Sequence, residues 1–237
     1  MRAMYNGRCR MSSGNRGATK SKAVGRPRAY ELSEVIQTAG ELFWEQGYET
    51  TSIGDLEEKT GLDRSSLYHA FGNKRALFDG ALRSYVENNI NARLAGMRQP
   101  DAGLESIVGF FAGMATVCRT DRRADRGCLM VNTIGELGPH DPRAVEVGTA
   151  YRESFREAFG VALTQAARKG EVDGARSRRG PALLTAITMG LFVTARIDLA
   201  DAAEVCDAVA AEVASWRARH GAANRRRHGA KNVKEEP

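Results

Sequence analysis

From Tyr30 onward the apolar positions of this chain recur with the period of an α-helix, and no stretch alternates with the two-residue period of a strand. Leu32, Val35, Ile36, Ala39, Leu42 and Phe43 fall on one face, and Gly47 closes the run, which predicts a first helix. Thr50, Thr51 and Ser52 then offer hydroxyls for a helix start. Ser52 and Asp55 have the spacing of a capping box ahead of Ile53 and Leu56, so a short second helix follows and ends at Gly61, a residue that turns the chain at positive φ without steric cost. A third helix is predicted from Arg64 to Ala70, capped by Asp63. At about 100° per residue, Leu67, Ala70 and Phe71 share its inward side. Ser65 and His69 point the opposite way, with Ser66 and Tyr68 on the flanks and Arg64 reaching out from the first turn. Two short helices around a glycine corner, the second with a small, polar, donor-rich outer face, form a helix-turn-helix suited to a DNA major groove.

The helical period continues beyond the helix-turn-helix, with no alternating strand pattern. Breaks at "RQPDAG", "RTDRRADRG", "LGPHDP" and "KGEVDGARSRRGP" divide it into six further helices, at about 74–97, 103–119, 128–137, 141–169, 181–198 and 201–218. The fold class is therefore all-α. It divides into a basic arm expected to be disordered (1–29), a helix-turn-helix DNA-binding domain (30–82), a second helical domain (83–219) and a basic tail expected to be disordered (220–237).

Charge sharpens this division. Residues 1–29 carry eight Lys/Arg and no acid and residues 220–237 carry five against two, so the stretch between them is net acidic although the chain totals +6. Basic ends of this kind suit arms that seek phosphate; a solubilising tail is the plainer alternative. Within the first arm "GRPR", Gly25 to Arg28, resembles the core of an AT-hook. Pro27 stiffens the backbone and Arg26 and Arg28 suit a narrow A·T-rich minor groove, although a basic linker has the same composition.

Several classes are disfavoured. The apolar stretch Leu183 to Ala195 is short of the ~20 residues that cross a bilayer, and no apolar run follows the basic start, so we expect a cytoplasmic protein with no membrane partner. The four cysteines Cys9, Cys118, Cys128 and Cys206 lack CxxC or zinc-like spacing, which predicts no metal site and reduced core thiols; a redox pair of Cys118 and Cys128 is the alternative. No GxSxG, HExxH or strand-linked GxGxxG occurs, and "GNRGATKS" lacks the second glycine of a phosphate loop, so neither catalytic residues nor a cofactor is expected.

The marks "LFWEQGYETTSI", Gly61-Leu62, "SLYHAF" and "NKRALF" within Tyr30 to Leu82 resemble the DNA-binding domain of the TetR family of bacterial transcriptional regulators. The resemblance implies three N-terminal helices, the third of them the recognition helix, followed by a helical ligand-binding and dimerisation domain. It places Tyr68 and Lys74 on phosphates, and Arg64, Ser65, Ser66 and His69 against base edges or backbone; Thr51, and Arg26 and Arg28 of the AT-hook-like arm, are further expected DNA contacts. Glu57 departs from the family pattern, which usually has a small apolar residue there between the second and third helices. The function implied is a sequence-specific regulator of double-stranded operator DNA, a repressor released by an unidentified small-molecule effector. A non-specific architectural DNA binder and, more remotely, an all-helical enzyme are the alternatives.

In the second domain Ala182, Ala186, Gly190 and Thr194 repeat every four residues, and Val205, Val209, Val213 and Trp216 answer them on the last helix. The family builds a four-helix homodimer interface from these helices; packing within one subunit would use the same faces. An effector cavity would be lined by Phe110, Phe111, Met114, Met130, Asn132, Tyr151, Phe155, Phe159, Met189 and Phe192, residues that equally suit a plain core. One expectation is testable without a structure. Deleting residues 1–28 should weaken binding to every DNA sequence and flatten the salt dependence by about 0.9 in log–log slope for each phosphate that the arm no longer neutralises, and titrations at several salt concentrations measure it.

Overall fold

The computed structural model describes residues 29–232, and every regular element among them is helical. The first four helices are α1 (Ala29–Gln46), α2 (Ile53–Thr60), α3 (Arg64–Phe71) and α4 (Lys74–Tyr85), and α4 runs on through a π-helical turn (Val86–Ile90), an α segment (Asn91–Leu94) and a 3-10 turn (Ala95–Arg98). The second domain adds α5 (Leu104–Thr120), α6 (Leu129–Leu137), α7 (Pro142–Arg168), α8 (Gly174–Ile197) and α9 (Leu199–Asn232).

Local chemistry sets most of these boundaries. The Ser52 hydroxyl accepts from the Asp55 amide at 3.1 Å while the Asp55 carboxylate accepts from the Ser52 amide at 2.7 Å, so two of the donors that a helix start leaves open are met reciprocally. Asp63 caps α3 by accepting from the Ser66 amide at 2.7 Å, and Asn73 caps α4 through the Ala76 amide at 2.8 Å. Gly61 ends α2 at φ 70° and Gly72 ends α3 at φ 81°, the region where a Cβ is strained.

Packing then joins the pieces. Leu42 and Phe43 of α1, Leu56 of α2, Leu67 of α3 and Leu77, Phe78 and Leu82 of α4 are buried in one core. The Phe43 and Phe78 rings meet edge to face at 4.9 Å, and Tyr48 leans on Phe78 at 4.7 Å. In the second domain α7 lies along α8, and α5 along α9. Its centre is a cluster of rings: Phe159 sits 5.6 Å from Phe110 and stacks on Phe111 at 6.0 Å, while Phe155 meets Tyr151 at 5.1 Å and Phe192 at 6.2 Å.

Two helix boundaries differ from expectation. The eighth helix starts at Gly174 rather than 181, because Asp173 caps it by accepting from the Arg176 amide at 2.7 Å and Pro181 is carried inside the helix. The last helix does not stop at 218. Its backbone stays helical to Asn232, in keeping with the Ala and Arg content of "RARHGAANRRRHGAKN", so the disordered tail expected from 220 is corrected over 220–232. With these limits α8 is 24 residues long and, by length and composition, apolar enough to cross a bilayer. It nonetheless buries Leu184, Leu191 and Phe192 in the domain core, the packing of a core helix. The expected arm, including Arg26 and Arg28, lies outside the described residues.

The capping carboxylates carry a pH dependence. Hydrogen bonds from the Ser52 amide hold Asp55, and from the Ser66 amide hold Asp63, below the ordinary aspartate range. A folded pKa below the unfolded one means that the caps contribute fully above the ordinary range and are lost as pH falls through the lowered values. Helix content followed by circular dichroism should therefore hold from neutrality to about pH 5 and fall below about pH 4. Asp63→Asn, which caps without a charge, should move that acid transition to lower pH.

Candidate nucleic-acid interface

The candidate surface is α3, and its inner side fixes its outer one. Leu67 is buried, Phe71 is half-buried, and both pack on a core that includes Leu56 of α2 and Leu77 of α4. Arg64, Ser65, Ser66, Tyr68 and His69 are all exposed. The Arg64 guanidinium lies 5.7 Å from the Tyr68 ring centre, so the two side chains at the rim of the helix support each other. Ala70, expected inside, is exposed, because Phe71 and Leu67 fill the space beneath α3.

Glu57 explains its own departure from the family pattern. Its carboxylate accepts from the Arg64 amide at 2.6 Å, adding a second acceptor at the start of α3 beside Asp63. The two helices are therefore joined by a charge-assisted hydrogen bond where a small apolar contact is usual. An acid there also matches the partial positive charge of a helix N-terminus.

Two further expected DNA contacts, Thr51 and Lys74, are held by neighbours within the DNA-binding unit. Thr51 is fully buried and its hydroxyl donates to the Gly47 carbonyl at 2.6 Å, so it holds the corner between α1 and α2 and presents nothing to a duplex. Lys74 is half-buried, with its ammonium 4.4 Å from the centre of the Tyr48 ring at the first turn of α4. Arg75, the next residue, faces the second domain: it pairs with Asp79 at 2.8 Å and with Asp141, the cap of α7, and these carboxylates push its pKa further up.

The sequence reading missed the contacts that seat the DNA-binding unit on the rest of the chain. Glu136 of α6 accepts from the amides of Tyr48 at 3.0 Å and Glu49 at 2.7 Å. Arg126 pairs with Glu45 at 3.5 Å, and Arg143 with Asp79 at 3.4 Å. These pairs span more than sixty residues of sequence, and no local pattern marks any of them.

The residues expected around an effector cavity are mostly packed on one another, and only Met114 and Phe192 of them edge a small cavity of about 50 Å³. Phe110, Phe111, Met114, Met130, Tyr151, Phe155, Phe159 and Phe192 are all buried against neighbours, Met189 packs partly buried on the same core, and Asn132 sits apart, donating to the Arg126 carbonyl at 2.8 Å. The rings occupy the volume that they were expected to enclose. Of the expected dimer face, Ala182, Ala186, Gly190 and Val205 are exposed, and Thr194 and Val209 are half-buried. Val213 and Trp216 are buried and turn inward, because α9 lays that side on its own subunit. The expected Cys118–Cys128 relation also changes: Cys128 is buried with its sulfur 3.0 Å from the Tyr151 hydroxyl, whereas Cys118 lines a small cavity with Cys206. Burial raises the pKa of all three thiols, that of Cys206 to about 12, so none of them carries the thiolate of a reactive cysteine.

Comparison with known proteins agrees with this architecture. Residues 35–81 match the family described as bacterial regulatory proteins, tetR family. The chain is 33% identical over 151 residues to YezE of Bacillus subtilis (strain 168), named as an uncharacterized HTH-type transcriptional regulator, an alignment covering 64% of this chain and 77% of that one. It is 34% identical over 119 residues to the HTH-type transcriptional repressor ComR of Escherichia coli K12, covering 50% of this chain and 56% of ComR. Among solved structures, a TetR transcriptional regulator from Chloroflexus aurantiacus superposes with a TM-score of 0.66 at 23% identity over 79% of this chain and 93% of its own, a likeness of fold. The TetR family regulator CifR, as a cysteine mutant complexed with 26-bp operator DNA, gives 0.64 at 25% identity over 80% and 98%. With an exposed recognition helix on a three-helix base, an all-helical second domain and this set of relatives, the chain belongs to the TetR family of bacterial transcriptional regulators.

Proposed function

We propose that the protein is a cytoplasmic repressor that binds a palindromic operator as a homodimer and is released from it by a small-molecule ligand. The observation that carries this reading is the two-sidedness of α3: Leu67 and Phe71 hold one side to the core, while Arg64, Ser65, Ser66, Tyr68 and His69 stand exposed together on the other. Serine hydroxyls and an imidazole can read base edges in the major groove, with Tyr68 on α3 and Lys74 at the first turn of α4 available for phosphates. The acids of α1 lie on a separate helix. Residues 30–82 nevertheless carry ten acids against four Lys/Arg, so binding draws on few local cations, and the basic residues before Ala29 supply the rest.

Relatives named as repressors, ComR and BdcR of Escherichia coli among them, support repression, and the operator complex of CifR supports duplex binding. For the homodimer, support comes from apolar side chains that α8 and α9 leave uncovered: Leu183 is 56% exposed, and Val205 is exposed as well. Two-fold pairing through these helices would present two copies of α3 to successive half-sites.

Two outcomes test the proposal. Joint replacement of Ser65, Tyr68 and His69 by alanine should lower affinity for a selected operator by roughly 100-fold or more while leaving weak binding to random DNA nearly unchanged, measured by fluorescence anisotropy at fixed salt. Gly190→Leu should separate the subunits without straining either one, since a side chain there meets no atom within 4 Å of its Cβ. Sedimentation should then show monomers, and operator affinity should fall in parallel.

A further inference from the structure

The closed aromatic core of the second domain leaves open the question of where a ligand enters, and the structure has a larger opening elsewhere. A cleft of about 510 Å³ lies between the end of α1 and its following turn on one side and α6 and α8 on the other. Phe43, Phe78 and Leu129 line it, and at its α8 wall stand Val193, 50% exposed, and Ile197, 83% exposed. Such a surface suits the apolar body of a small molecule.

Its polar groups divide by type. Its two carboxylates are already engaged: Glu136 receives the Tyr48 and Glu49 amides, and Glu45 pairs with Arg126. The donors are not. The guanidinium of Arg196, on the same wall as Val193, has no carboxylate or carbonyl partner among the described residues, and the indole N–H of Trp44, a buried donor on a residue of the opposite wall, has none either. A lining whose carboxylates are engaged and whose arginine is not is complementary to an anion, and the flat fork of an arginine suits a carboxylate.

We propose that this interdomain cleft is a binding site for small apolar carboxylic acids, with Arg196 as the ion partner and the hydrocarbon against Phe43, Phe78 and Leu129. The proposal rests on the ligand-released repressor reading for its regulatory meaning but not for the site itself. The Glu136 carboxylate at the α1 end repels the ligand's charge and so directs it toward Arg196. One wall belongs to the DNA-binding unit and the other to the second domain, so a guest that fits one spacing of the walls better than another shifts the seating of α3.

The chain has two tryptophans, Trp44 in the cleft and Trp216 in the far part of α9, so Trp216→Phe leaves Trp44 as the only fluorescent indole. Full-length protein of this kind is titrated with octanoate, octanamide and octylamine, with and without Arg196→Gln, and operator binding is followed in parallel. Octanoate should change Trp44 emission saturably, the amide and amine should not, and Arg196→Gln should weaken octanoate at least tenfold while melting temperature and subunit state hold. The proposal is overturned if octanoate leaves Trp44 unchanged, if the amine binds as well as the acid, if Arg196→Gln binds octanoate like the parent, or if that variant becomes monomeric, which would assign this face to subunit contact. Octanoate binding at Trp44 without operator release would uphold the site and sink the ligand-released repressor. Release by octanoate with Trp44 silent would do the reverse.

Discussion

The structure depends on the contact among Phe43, Tyr48 and Phe78. Phe78 is 1% exposed and takes the Phe43 ring edge-on while Tyr48 covers it from the turn after α1. Because α4 begins directly after α3, with Asn73 capping its first turn, the same contact that closes the DNA-binding domain also fixes where the recognition helix stands on the longer helix leading into the second domain. Burial of rings of this size contributes several kcal/mol per side chain, far more than any surface pair nearby, so the charged contacts tune an arrangement that the rings establish.

Around that contact the chain places charges so that each domain holds the other at a few points. Arg75 bridges Asp79 of its own helix and Asp141 at the start of α7, and Glu136 holds the amides of the turn beyond Gly47. These polar contacts lie beside an apolar cluster that runs through both parts of the chain, and they leave the cleft beside them open. The aromatic cluster around Phe155 and Phe159 is the opposite of that cleft, since close-packed rings give up little space without cost.

Much of the exposed face of α3 was legible in the amino-acid order alone. Ser52 with Asp55, Asp63 before Ser66, and Gly61 between them specify two helices and the corner joining them through interactions no longer than four residues, and the spacing of Leu67 and Phe71 then dictates that Ser65 and His69 face out. These are local and periodic effects, and they do not wait on the rest of the fold. Ala70 and Thr51 escaped the reading because exposure depends on what lies opposite: Phe71 leaves no room beneath α3 for Ala70, and the Gly47 carbonyl draws the Thr51 hydroxyl inward.

What the sequence by itself determined is the all-helical chain, the helix-turn-helix with its outer face, and the membership that its motifs announce. Tertiary structure alone decided that the aromatic residues of the second domain fill their own cavity, that Val213 and Trp216 turn inward while Ala186 and Gly190 stay open, and that Glu136 and Arg75 tie the two domains together beside an open cleft. The physical reason is range. Caps and helical periods act over one or two turns, whereas which face of a helix is covered, and whether a ring lines a space or fills it, depends on partners brought together from sixty or more residues away.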